Sequence, residues 1–126
     1  MKDPELEILI NELESDQRMS VAGFEGVVHA LEYLLPESVT KSLTPQGLAT
    51  TDGAMHVADD AYPNWVVRIR GRANDRNGHW RCTLRENDNR DNDAAMGAGR
   101  SPVLAQAILA AVLRLSMTLK KDDDKA

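Results

Sequence analysis

Two runs of alternating residues constrain this chain more than anything else in it. Trp65, Val67 and Ile69 alternate with Val66, Arg68, Arg70 and Arg72, and Trp80, Cys82 and Leu84 alternate with Arg81, Thr83 and Arg85. A period of two marks strands with one packed face and one solvated face. Between the runs stands Asn77-Gly78, a dipeptide whose residues both accept the positive φ of a type I′ turn. The spacing predicts an antiparallel β-hairpin. A two-residue turn at that dipeptide sets Arg70 opposite Arg85 and Arg72 opposite Thr83. Arg68, Arg70, Arg72, Arg81 and Arg85 then share one face, and Trp65, Val67, Ile69, Cys82 and Leu84 the other.

Helical signals flank the hairpin. Asp3 reads as an N-cap with Pro4 in the first helical position, and Leu6, Leu9, Ile10 and Leu13 form an apolar stripe that ends near Ser15. A second helix is expected from Ser20 to Leu35, carried by Phe24, Val27, Val28, Leu31 and Leu35 and stopped by Pro36. Gly23 and Gly26 each weaken it by ~1 kcal/mol relative to alanine. Residues 36–50 are less patterned: Val39 and Leu43 suit a short helical turn, and Thr44-Pro45 is a start signal. Thr51 is expected to cap a short helix through Ala61, closed by Tyr62-Pro63. After the hairpin, a polar loop with Asp88, Asp91 and Asp93 runs from Asn87 to Gly99. Ser101 then caps, and Pro102 starts, a final helix to about Met117.

The expected class is α+β, an antiparallel β-hairpin packed between helices in the order α-α-(α)-β-β-α. At 126 residues the chain supports one domain, here 1–119, with 120–126 a charged C-terminal tail. With five aromatic residues in all, the core must be largely aliphatic. The final helix is apolar nearly all round, and a two-stranded sheet is marginal alone. Both point to a homo-oligomer with Ile108, Val112 and Leu115 near its interface.

The chain carries 20 acidic against 15 basic side chains, a net charge of −5, which disfavours generic nucleic-acid binding. Against that background a row of arginines on one face is notable. Like charges directly opposite on a sheet repel by a few tenths of a kcal/mol or more. Guanidinium groups bind phosphate and carboxylate as bidentate forks, so Arg68, Arg70, Arg72, Arg81 and Arg85 are candidates for anion or partner binding. The alternative is a solvated strand face whose arginines pair with the acidic loop or the first helix. Arg100 joins the candidates because Gly97-Ala98-Gly99-Arg100-Ser101 leads into a helix N-terminus, where free N–H groups attract anions. That segment lacks the lysine and spacing of a P-loop, and a plain loop with Ser101 as the cap explains it without any ligand.

Other motifs fall short of chemistry. His79-x-x-Cys82 would put its two side chains on opposite faces of a strand, and the aspartates of the acidic loop lack the spacing and closing glutamate of a calcium loop. No Gly-x-Ser-x-Gly elbow occurs. Cys82, the single cysteine, allows no intramolecular disulfide and is expected to point into the core, where a thiol is inert. No catalytic residue, metal or cofactor is therefore expected. The N-terminus opens on an amphipathic segment rather than a leader, and no stretch is long enough to span a bilayer, so the expected location is the cytoplasm.

Three pieces in sequence carry a resemblance: Leu6-Glu7-Ile8-Leu9-Ile10, then Tyr62-Pro63-Asn64-Trp65 before the hairpin, then Ser101-Pro102-Val103-Leu104-Ala105. Their order resembles the small phage and prophage proteins of the phage ABA-sandwich type. The resemblance implies a bacterial host cell and a phage or prophage origin. By analogy with other compact, acidic, non-enzymatic phage proteins, rather than from the resemblance itself, the expected function is a non-catalytic binding protein acting on a host system, either by blocking a host protein complex or by sequestering a nucleotide signal. A structural or assembly subunit of a phage is the alternative, and a small hydrolase a lesser one.

Overall fold

A computed structural model describes residues 3–15, 18–71, 80–86 and 96–125. The chain is an α+β protein: helices α1 (Asp3–Leu13), α2 (Val21–Leu34), α3 (Glu37–Thr40), α4 (Pro45–Leu48) and α5 (Thr51–Ala61), strands β1 (Val66–Arg70), β2 (Trp80–Arg85) and β3 (Met96–Ser101), and helix α6 (Leu104–Lys125). The strands form one antiparallel sheet in the order β1-β2-β3.

Local chemistry starts and stops the helices. Ser20 caps α2 by accepting from Gly23 N–H at 3.2 Å, and Thr44 caps α4 by accepting from Gly47 N–H at 3.0 Å. The cap of α5 is Thr50, one residue before the expected Thr51; its hydroxyl accepts from Gly53 N–H at 3.0 Å. Past α5, Trp65 N–H bonds back to Tyr62 C=O, and Asn64 takes a φ of 72°. Proline followed by a left-handed asparagine is the pattern of a type II turn, and it aims the chain into β1.

The third strand was not legible as a strand. Met96–Ser101 was expected to be loop and helix cap, yet it pairs with β2 along its length, Cys82 opposite Gly99 and Leu84 opposite Gly97. Its inward positions are Gly97, Gly99 and Ser101, all buried. A Cβ at Gly97 would stand 2.4 Å from Ala111 O, and one at Gly99 2.4 Å from Ala107 O. Glycine at alternate positions is what lets β3 lie directly on the backbone of α6. Ser101 accordingly caps no helix as expected: it ends the strand, and its hydroxyl accepts from Val103 N–H at 3.1 Å.

Helix α6 is the centre of the molecule. It packs against β2, β3, α1, α2 and α5, and from Ala105 to Met117 every residue but Arg114 is buried. Ile108, Val112 and Leu115 have no exposed surface in a single chain, which corrects the basis for placing them at an oligomer interface. The apolar circumference of α6 is used up inside the fold. Each such side chain contributes roughly 1.5–3 kcal/mol by leaving water. Gln106, also fully buried, accepts from Met19 N–H at 2.8 Å and donates to Leu13 C=O at 2.9 Å, tying the end of α1 and the approach to α2 onto α6. The helix continues to Lys125 through residues expected to form a tail, since no proline or glycine stops it. No helix among the described residues is long and apolar enough to cross a membrane.

Candidate functional site

With α6 on one face of the sheet, the other face carries the arginines. The register differs from the expected one: Arg70 lies opposite Arg81, not Arg85, and Arg68 opposite Thr83. Relative to the pairing a two-residue turn at Asn77-Gly78 would give, β1 and β2 are displaced by four residues. The displacement is even, so no side chain changes face. That dipeptide and Arg72 lie outside the described residues.

The third strand completes the pattern. Arg81 is opposite Arg70 on one side and opposite Arg100 on the other. Three arginines thus stand abreast across three strands, with Cα atoms roughly 5 Å apart. The next row is Arg68, Thr83 and Ala98, and the next Val66, Arg85 and Met96. Arg68, Arg70, Arg81 and Arg100 are exposed and Arg85 is partly so. All but Arg100 line an open depression of about 680 Å³, floored by Thr83 and Ala98 with Met96 at its side. Arg100, expected at a helix N-terminus, instead belongs to this face. Among the described residues no carboxylate forms an ion pair with Arg70 or Arg81.

The far edge of β3 is closed by an ion pair that sequence reasoning missed. Glu14, just past α1, accepts hydrogen bonds from the two terminal guanidinium nitrogens of Arg114, at 2.5 and 2.6 Å. The same pair grips the strand's backbone: Arg100 N–H donates to Glu14 at 3.0 Å, and Arg114 donates to Ala98 C=O at 2.8 Å. Partial burial pushes the Glu14 carboxyl up, but the hydrogen bonds from Arg114 and Arg100 N–H, with the two positive charges, outweigh it. The net pKa lies below the ordinary value for glutamate. The sequence signal was Arg114, the one charged residue between Ala105 and Met117 in the apolar part of α6.

These edge bonds fix the parity of the whole sheet. Ala98 and Arg100 turn their backbone groups away from β2, and in an antiparallel ladder those groups alternate from side to side. Arg81, Thr83 and Arg85 therefore turn theirs toward β1, where Val66, Arg68 and Arg70 meet them. Val67 and Ile69 are left with N–H and C=O directed out along the free edge of β1. The row is also tightest between Arg81 and Arg100, a non-hydrogen-bonded pair whose side chains approach most closely.

Elsewhere the chemistry is structural. Cys82 is buried under α6, and burial pushes its thiol up to about 11. Tyr62 shares a 2.6 Å hydrogen bond with Ser116 and stacks tilted on Trp65 at 5.3 Å; burial raises its pKa against that bond. Among the described residues no three metal-ligating side chains come together. Compared with known proteins, the chain matches no family model, no curated sequence and no solved structure.

Proposed function

We propose that this chain is a non-catalytic binding protein that engages an acidic partner protein through the arginine face of its sheet. The observation that carries the reading is the row Arg70–Arg81–Arg100. Its members repel one another in a protein of net charge −5, and an anion laid across them removes that repulsion. Guanidinium groups suit carboxylates arrayed on a surface, each taking two parallel hydrogen bonds. A small nucleotide fits less well, because such ligands bind in concavities that bury roughly 70–90% of their surface, and this face is open. The order of motifs that resembles the phage ABA-sandwich proteins supports a phage or prophage origin, and with it a host protein as the partner. The assembly-subunit reading loses its main support, since α6 is covered by its own chain.

The test is affinity for a model acidic ligand, octaglutamate, followed by fluorescence anisotropy. Each charge-assisted hydrogen bond is worth ~1.5–3 kcal/mol, so Arg70→Gln with Arg81→Gln should lower affinity at least tenfold, and native binding should weaken with salt. A folded double variant that binds equally well refutes the reading. ATP bound more tightly than octaglutamate at the same arginines replaces the acidic partner with a nucleotide.

A further inference from the structure

The two edges of the sheet are treated differently. That of β3 is closed by Glu14 and Arg114, which occupy its outward backbone groups. Among the described residues that of β1 is open: β1 is terminal in the sheet order, and no described segment bonds to the backbone of Val67 or Ile69. Among the described residues β1 packs mainly against β2, and of its side chains Val67 reaches the core. Val67 is half-buried, and Ile69 is 38% exposed on the side away from the arginines. Unpaired strand edges are templates for another strand unless something blocks them.

The charges at this edge choose the occupant. A second copy pairing edge to edge would put its own Arg70 on the same face, beside a row that already repels. An acidic strand reverses the sign, and opposite charges directly across a pair of strands attract. On the other face the same strand would meet Val67 and Ile69, so its remaining residues should be apolar. Nucleic acid satisfies neither the outward N–H and C=O groups in register nor the apolar side.

We infer that the open edge of β1 accepts, as a fourth strand, an extended segment of the partner whose residues alternate acidic and apolar. This rests on the acidic-partner reading above and adds its backbone recognition: main-chain bonds supply affinity, and alternate side chains supply specificity.

The probe is an end-blocked octapeptide of alternating glutamate and valine, compared with octaglutamate on the native chain. The alternating peptide, with half the charge, should bind at least tenfold more tightly. Ile69→Pro removes one outward N–H without touching the β1–β2 ladder, and proline is tolerated on a strand edge in that orientation. It should weaken the alternating peptide at least tenfold and leave octaglutamate unchanged. The same peptide methylated on every backbone nitrogen needs no variant to fold, and it should bind the native chain no better than octaglutamate. Equal binding of the methylated and unmethylated peptides overturns strand addition; the arginine reading then stands provided Arg70→Gln with Arg81→Gln still weakens octaglutamate tenfold. If the alternating peptide depends on the Ile69 amide but not on Arg70 and Arg81, the acidic-partner reading fails instead. Octathymidylate bound more tightly than either peptide overturns both in favour of nucleic acid.

Discussion

Gly99→Ala should be among the most damaging one-carbon changes possible in this protein. The added Cβ would lie 2.4 Å from Ala107 O, 2.6 Å from Ala111 N and 2.8 Å from Ala110 Cβ. Two of these neighbours are helix backbone and cannot rotate away. Ordinary contact begins near 3.4 Å, so β3 and α6 must separate by about 1 Å. A gap of that size forfeits a quarter to a half of the dispersion energy of each contact it opens, and overpacking a tight core costs about 1–3 kcal/mol. With helix backbone in the way, we expect the upper end, about 3 kcal/mol. An unfolding entropy of ~2.1 cal/mol/K per residue gives ~0.26 kcal/mol/K for this length, hence a drop in Tm of ~11 °C. Gly26→Ala is the matched control. There the new Cβ meets only Leu9 Cδ1, at 3.7 Å, inside a helix where alanine is favoured over glycine by ~1 kcal/mol, so Tm should rise by ~2–4 °C. Thermal melts by circular dichroism read both. A Gly99→Ala variant that melts with the native chain would refute the account of why β3 is a strand.

Two further substitutions probe the buried polar links. Gln106→Leu keeps the volume but strands Leu13 C=O and Met19 N–H; it should destabilise by ~2–4 kcal/mol in urea melts, and an unchanged midpoint would contradict that. Glu14→Gln should lose about 1–2 kcal/mol at neutral pH, a range already discounted because Arg114 is 40% exposed. Since the folded pKa of Glu14 is depressed, its contribution is fully present above the unfolded glutamate pKa and lost as pH falls through the folded one. The native and Glu14→Gln stability curves should therefore converge below about pH 4, and a constant gap down to pH 2 would remove Glu14 from the edge.

Much of this fold is legible from residue spacing. The stripe from Leu6 to Leu13, the apolar spacing from Phe24 to Leu35 and the alternation through Trp65 to Ile69 and Trp80 to Leu84 each state their element locally, because the physics that forms them is local. β3 is different. Gly97, Ala98 and Gly99 have little strand propensity, and what makes them a strand is the backbone of a helix that follows in sequence. The signal existed as two glycines at a spacing of two, matched to Ala107 and Ala111 at a spacing of four, but it is visible only once the two are known to touch. The candidate site was affected the same way. That Arg68, Arg70, Arg81 and Arg85 share a face follows from alternation, and so survived a displaced register. Which arginines stand abreast depends on that register, and Arg100 could join them only with the third strand in place. The apolar surround of Ile108, Val112 and Leu115 was read correctly as burial, but a single sequence does not say whether its own chain or another supplies the cover.

On the proposed function, the sheet keeps a self-repelling row of arginines because an acidic partner lies across it. Thermal melts of the native chain and of Arg81→Gln, each with and without octaglutamate, test it most directly, since Arg81 is flanked by an arginine on both sides. In buffer, Arg81→Gln should melt at or slightly above the native chain as repulsion is relieved. With octaglutamate at about 100 times its Kd, the native chain should gain ~2.7 kcal/mol, near 10 °C on the same entropy scale, and the variant distinctly less. An Arg81→Gln variant that melts well below the native chain in buffer, or a native chain whose Tm octaglutamate leaves unmoved, contradicts it.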